Sequence, residues 1–313
     1  MAVLSIATGC SGSGESGPKA QEAPSSSSTT APVVVAPSVA VTARDYGFDV
    51  PPEVEGGVVR MTLRNDGKLK HEAVLVAAGD TPLAQLKKDL TPIVQGAGKP
   101  TPDYLRFAGG VSLVEGGTAA AATLTLPVGR YVMVCTLTDA DSLTTDKIPA
   151  GPPPAKTEQF HYDLGMATEF VVKKANTAVM PPTAGTVLAR DWSFEVPPLS
   201  PALNDTLTFR NDGREDHSLA VAEFAVGIAP DVAKAAFETL LKADAEHPPP
   251  DDLPTPADVA FAGPLSAGGQ ATFSLKLKPN QTYVFACYMS DRAGGGLHAT
   301  DKGMVAYATT PAG

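Results

Sequence analysis

Alternation with a period of two runs through much of this chain. In residues 58–64 (VVRMTLR), Val59, Met61 and Leu63 alternate with Arg60, Thr62 and Arg64. Leu207 and Phe209 do the same in LTFRN, and Leu124 with Leu126, and Phe273 with Leu275 and Leu277, line one face of later segments. Such alternation predicts antiparallel strands with one buried and one wet face. Asn65-Asp66-Gly67 and Asn211-Asp212-Gly213 are turn signals between strands of this kind. Two stretches switch to helical spacing. Thr81-Pro82 opens a helix with Leu83, Leu86 and Leu90 on one side. Pro230 opens a longer one with Val232, Ala236 and Leu240 on one side and Phe237 and Leu241 beside them. Their apolar stripes read as core, and each helix is expected to cap an edge or an end of a β-sandwich.

The alternating segments recur, and the recurrence sets the domain organisation. ARDYGFDVPP (Ala43 to Pro52) matches ARDWSFEVPP (Ala189 to Pro198), and MTLRNDGKLKH (Met61 to His71) matches LTFRNDGREDH (Leu207 to His217), both at an offset of 146. Phe107-Ala108-Gly109 then matches Phe261-Ala262-Gly263. LTLPVGRYVMVC, ending at Cys135, matches LKLKPNQTYVFAC, ending at Cys287, and HYDLGM (His161 to Met166) matches HATDKGM (His298 to Met304). Order and character persist, which indicates duplication. The expected organisation is a leader and linker over 1–37, one domain over 38–175, a connecting segment over 176–185 and a second domain over 186–310.

The 29 Pro and 29 Gly suit a loop-rich all-β chain, and 43% apolar residues suffice for two cores. A formal net charge of −10 argues against a nucleic-acid partner. No run of 18 apolar residues is present, so no helix is expected to span a membrane. Cys10 follows MAVLSIATG and precedes a Ser/Gly/Pro/Ala-rich tract that cannot bury enough apolar surface to fold. That context resembles the end of a bacterial lipoprotein signal with a start placed too far downstream. It implies lipidation of Cys10, a flexible tether, and export to the outer face of the cell membrane, with membrane contact only through the lipid anchor. A disordered N-terminus with an incidental cysteine is the other reading.

The scarce residue types carry the candidate chemistry. Of five histidines, four fall at corresponding repeat positions, His71 with His217 and His161 with His298, while His247 lies in a proline-rich stretch. Cys135 and Cys287 correspond, as do Met166 and Met304, each preceded by glycine. His, Cys, His and Met therefore occur once in that order in each repeat. Two imidazoles, a thiolate and a weakly held thioether form a set that suits copper in electron transfer. Period two puts Tyr131, Met133 and Cys135 on one strand face, and Tyr283, Phe285 and Cys287 on another, so both sulfurs project inward.

The ligand order, the opening strand, the turn before the first histidine and the Tyr-x-x-x-Cys strand resemble the cupredoxin, or blue-copper, family across both repeats. The resemblance implies two tandem Greek-key sandwiches and mononuclear copper held by His71, Cys135, His161 and Met166, and by His217, Cys287, His298 and Met304. It also implies one-electron transfer between donor and acceptor proteins that the sequence leaves unidentified, with no enzymatic turnover. An oxidase of this class would need further imidazoles, typically as His-x-His pairs, and none occurs. Ten residues separate Cys287 from His298 and 25 separate Cys135 from His161, so the second set is expected to be better preorganised. Three alternatives stay open: a metal-free binding or adhesion module, a copper storage or delivery protein, and a Cys135–Cys287 disulfide. Asn65 and Asn211 read as turn formers.

Overall fold

A computed structural model of the chain describes residues 35–143, 159–201, 205–243 and 246–312. The leader with Cys10, and much of the long segment after Cys135, lie outside them. The described residues form a single compact unit by contact.

The first half runs β1 (Ser38–Arg44), β2 (Gly47–Asp49), β3 (Glu53–Asn65), β4 (His71–Ala77), α1 (Leu83–Val94), β5 (Arg106–Val114), β6 (Ala119–Leu126), β7 (Gly129–Val134), α2 (Asp139–Leu143), α3 (His161–Leu164) and β8 (Ala167–Ala175). Among the described residues, the second half repeats this plan without a counterpart of α2. It runs β9 (Thr186–Arg190), β10 (Ser193–Glu195), β11 (Thr206–Asn211), β12 (His217–Glu223), α4 (Pro230–Lys242), β13 (Ala257–Leu265), β14 (Gln270–Ser274), β15 (Thr282–Ala286), α5 (His298–Asp301) and β16 (Val305–Thr309).

In each half two sheets face each other. The first strand pairs parallel with the third, which pairs antiparallel with the second strand after the long helix: β1–β3–β6 and β9–β11–β14. The opposing sheet runs β5–β4–β7–β8 in one half and β13–β12–β15–β16 in the other. The strand β3 serves both sheets of its half, since Glu53 and Val54 pair with β8 while Gly57 to Arg64 pair with β6. The changeover falls at Gly56-Gly57. A Cβ on Gly56 would come within 2.4 Å of the Val172 side chain, and Gly57 has φ +82°, so the corner requires glycine.

The inward residues foreseen from the period-two pattern share one core. Val59, Met61, Leu63, Leu124, Leu126, Tyr131, Met133 and Cys135 join Leu207, Phe209, Phe273, Tyr283, Phe285 and Cys287 in a cluster continuous across both halves. Two findings correct the pattern. The strands β4 and β7, and their counterparts β12 and β15, are buried on both faces, because the helices lie flat on the outer face of the sheet instead of capping its edge or end. Leu86 and Leu90 of α1 pack with Val74, Val76, Val132 and Val134. Ala233, Ala236, Phe237 and Leu240 of α4 pack with Ala222, Val284 and Ala286. Val232, expected on the apolar stripe, is instead 44% exposed. Burying each such leucine contributes roughly 2 kcal/mol.

The halves join in both sheets, through Leu265 beside Ala108 and Ala271 beside Leu124. Ser266 Oγ accepts the Phe107 N–H at 2.9 Å, and the Ser266 N–H donates to the Phe107 carbonyl at 2.9 Å. No helix among the described residues is long and apolar enough to cross a membrane.

Candidate metal centres

Each donor's position follows from strand geometry. His71 and His217 are the first residues of β4 and β12, delivered there by the turn after Asn65 or Asn211. The buried Asn65 amide donates to the Leu69 and Val114 carbonyls at 2.8 Å each and accepts the Gly67 N–H. Asn211 repeats these contacts with Glu215, Leu265 and Gly213. Both asparagines thus form the turn and tie it to the neighbouring strand, as read from the sequence.

Cys135 follows the end of β7 and Cys287 the end of β15. The return of the chain to the cysteine is fixed by the same hydrogen bonds in both halves. The His161 N–H donates to the carbonyl two residues past the cysteine, Leu137, at 2.8 Å, and the Tyr162 N–H donates to the Cys135 carbonyl at 3.1 Å. In the second half the His298 N–H reaches the Met289 carbonyl at 2.7 Å and the Ala299 N–H the Cys287 carbonyl at 2.9 Å. The methionine closes the ring. Met166 N–H donates to the His161 carbonyl at 2.8 Å and the Cys135 N–H to the Met166 carbonyl at 3.1 Å, with Met304 making the equivalent pair at 2.9 and 3.3 Å. These bonds set the ends of the intervening loop whatever its length. The longer first loop and the shorter second one thus meet their sites through the same set of backbone bonds.

In the first half, Cys135 Sγ lies 3.4 Å from His161 Nδ1 and 3.9 Å from His71 Nδ1, and the two Nδ1 atoms are 3.2 Å apart. In the second, Cys287 Sγ lies 3.4 Å from His298 Nδ1 and 3.7 Å from His217 Nδ1. Each His-Cys-His set has its ligand atoms within 4.8 Å of one another and is fully buried. Metal–nitrogen bonds of ~2.0 Å and a metal–sulfur bond of ~2.3 Å in a trigonal plane put donor atoms roughly 3.5–3.7 Å apart. Both sets fit a single small ion, and a thiolate with two imidazoles suits copper. Met166 and Met304 are buried, and each is bonded through its backbone carbonyl to the cysteine N–H of its half. Both cysteines are free, so no disulfide joins Cys135 to Cys287. Each half is a β-sandwich with one buried His-Cys-His set, the arrangement expected from the sequence.

No protein-family model matches the chain, and no curated protein matches it. Among solved structures it is similar to reduced auracyanin from the photosynthetic bacterium Roseiflexus castenholzii, at 20% identity over 44% of this chain and 98% of that one, with a TM-score of 0.29. It is similar to auracyanin A, a blue copper protein from Chloroflexus aurantiacus, at 22% identity over 44% of this chain and 98% of that one, TM-score 0.28. The blue copper oxidase from Nitrosomonas europaea matches over 89% of this chain and 86% of its own, at 13% identity and a TM-score of 0.22. At such low scores, the donor geometry is what bears on chemistry.

Four carboxylates and two aromatics around these donors were not singled out in the sequence. His71 Nε2 lies 3.1 Å from Asp45 Oδ1, and His161 Nε2 lies 3.1 Å from Asp139 Oδ1. Asp191 and Asp291 sit opposite His217 and His298 at 3.4 and 3.1 Å, but off the line of a good hydrogen bond. A carboxylate on Nε2 fixes the ring so that Nδ1 faces the sulfur. The signals were present: Ala-Arg-Asp stands in both copies, and each cysteine is followed four residues later by an aspartate, Asp139 or Asp291. Asp45 also accepts the Lys68 and Leu69 N–H groups at 3.0 and 3.1 Å. Its partial burial works to raise its pKa, but those N–H groups and His71 outweigh that and hold the carboxyl below its usual range.

After each aspartate comes an aromatic, Tyr46 or Trp192, in the two-residue turn between β1 and β2 or β9 and β10, with φ of 66° and 70°. Such a backbone costs an aromatic residue about 1–3 kcal/mol. Tyr46 meets His161 edge-on at 5.7 Å between centroids, and Trp192 meets His298 at 5.1 Å.

Burial sets the protonation of the donors. It depresses the pKa of all four imidazoles, that of His217 to about 4 with help from the neighbouring His298. Burial also pushes the Cys287 thiol up to about 11, and the Cys135 thiol further still. Without metal, the imidazoles are neutral with lone pairs available, and each sulfur holds a proton that metal binding must displace.

Proposed function

We propose that this chain is a copper protein that carries single electrons, with one mononuclear centre in each of two duplicated domains, 38–175 and 186–310. The observation that carries this reading is the convergence, in both halves, of one buried thiol and two imidazole Nδ1 atoms at the spacing of a single small ion. Copper bound there would supply a one-electron couple in which little rearranges, because sandwich strands and backbone hydrogen bonds fix the donors. His71, Cys135 and His161, and their counterparts His217, Cys287 and His298, would hold the ion, and Met166 and Met304 would add weakly held thioethers. The chain's own residues orient the first pair of rings through Asp45 and Asp139, place Asp191 and Asp291 beside the second pair, keep the imidazoles neutral by burial, and exclude water from the sulfur.

Carriage without substrate turnover is favoured because the chain holds five histidines, and the two donor sets use four. The electron donor and acceptor are taken to be other proteins. Cys10 and the tract after it support a lipid-anchored position at the outer face of a bacterial membrane. Titration of the purified protein with Cu(II) tests the reading. It should bind two equivalents and develop an intense visible thiolate-to-copper band. Copper taken up without that band would point to storage, and no uptake to a metal-free module.

A further inference from the structure

All four donor imidazoles are fully buried, so none offers an edge to a partner in solution. In each half one large ring lies against the downstream imidazole and also reaches the surface. Tyr46 and Trp192 are each 39% exposed, and they meet His161 and His298 at interplanar angles of 82° and 84°. Their equivalence is positional, since both sit second in the same turn at the same repeat offset. It is also conformational, since both take a left-handed backbone normally left to glycine or asparagine. A turn that needs only to reverse the chain has no use for an exposed aromatic there. Each ring is further connected to the carboxylate behind its histidine. The Tyr46 hydroxyl donates to Asp139 at 3.0 Å, and Lys302 lies 4.8 Å over the Trp192 ring while pairing with Asp291 at 3.2 Å.

We propose that Trp192 and Tyr46 are the electron portals of the two centres. Each ring is the π-system through which one electron passes between an outer-sphere redox partner and the buried histidine beside it. This rests on the copper electron-transfer reading above. No bond is made or broken: the partner loses the electron that the centre gains, and the reverse on reoxidation. Tunnelling decays steeply with distance, so a ring in contact with His298 on one side and solvent on the other shortens the path at its outermost step. The competing role is a plain cover that keeps water off the imidazole, and the two roles predict opposite responses to an aliphatic replacement.

Trp192 is the single tryptophan of the chain, which gives a direct readout at the second centre. Copper should quench the emission of the intact protein, and Cys287→Ser should abolish that quenching while Cys135→Ser leaves it. Emission that ignores copper at a centre showing its visible band would overturn the contact on which the portal depends. The rate test uses full-length Cys135→Ser protein, so that only the second centre is loaded, with ferricyanide as the oxidant in stopped flow. Trp192→Leu should slow oxidation on the order of tenfold, and Trp192→Phe, which keeps a π-system, should restore most of the rate. An unchanged or faster rate in Trp192→Leu with an intact band identifies a cover and overturns the proposal. Should Trp192→Leu fail to fold, a Trp192→Phe rate collapsed on the order of tenfold with an intact band would overturn it as well. Absence of any band in the unaltered protein would instead remove the copper reading itself.

Discussion

Around Cys135 both imidazoles are held from behind by hydrogen-bonded carboxylates, Asp45 and Asp139, whereas around Cys287 the matching aspartates sit at similar range but poorly aligned. The second centre is held from another direction. Its ligand loop docks on the first half, where Arg292 donates to the Leu105 and Pro102 carbonyls at 3.2 and 3.0 Å and its own carbonyl accepts the Thr101 N–H at 2.8 Å. Arg292 also pairs at 2.5 Å with Asp216, a carboxylate only 1% exposed that neighbours His217. Two nearly equal inner geometries are thus reached by different outer supports. One half supports its site locally, and the other borrows the seam between halves.

Several substitutions sharpen or break that contrast. The largest effect should come from the sulfurs. Cys135→Ser and Cys287→Ser should each remove one equivalent of copper and its share of the visible band, and the double variant should remove both, as read by metal analysis after gel filtration. Arg292→Met leaves Asp216 buried without its cation, a loss of about 3–5 kcal/mol. Urea unfolding should register that cost, and a chelator should strip the His217 centre faster while sparing the His71 centre. Equal effects on both centres would erase the proposed difference in support.

Acid should act next. Because the His217 ring has its pKa depressed from 6.5 to about 4 in the folded chain, the unfolded chain takes up a proton first as pH falls. The stability tied to this group is fully present above about pH 6.5 and is lost toward pH 4, on the order of 3 kcal/mol. Denaturant midpoints of metal-free protein across that window check it. The smallest effect should be at the outer carboxylates. Asp45→Asn should lower copper affinity at its centre about 10–100-fold, with Asp191→Asn costing less because its contact is misaligned. Competition titrations on single-centre variants measure both.

Much of this was legible in the sequence because it depends on local periodicity. Period two placed Tyr131, Met133 and Cys135 on one face, and the repeat aligned His, Cys, His and Met twice. Helix positions followed from Pro82 and Pro230. Less legible was whatever depends on contacts between distant segments. Nothing local tells that Leu86 and Leu90 cover a sheet face, so strands such as β4 lose their wet side. Loop length suggested a weak first centre, yet hydrogen bonds from His161 and Tyr162 back to the chain around Cys135 fix the loop's ends. Arg292 is an ordinary basic residue until the fold brings Leu105 to it. Asp45, Asp139 and their counterparts could have been found, since their spacing to turn and cysteine is the same in both copies.

Crystals of copper-loaded protein measured on either side of the copper absorption edge test the central claim most directly. The account predicts two anomalous peaks of comparable height, one among His71, Cys135 and His161 and one among His217, Cys287 and His298. A single peak, or density away from both sulfurs, would contradict it.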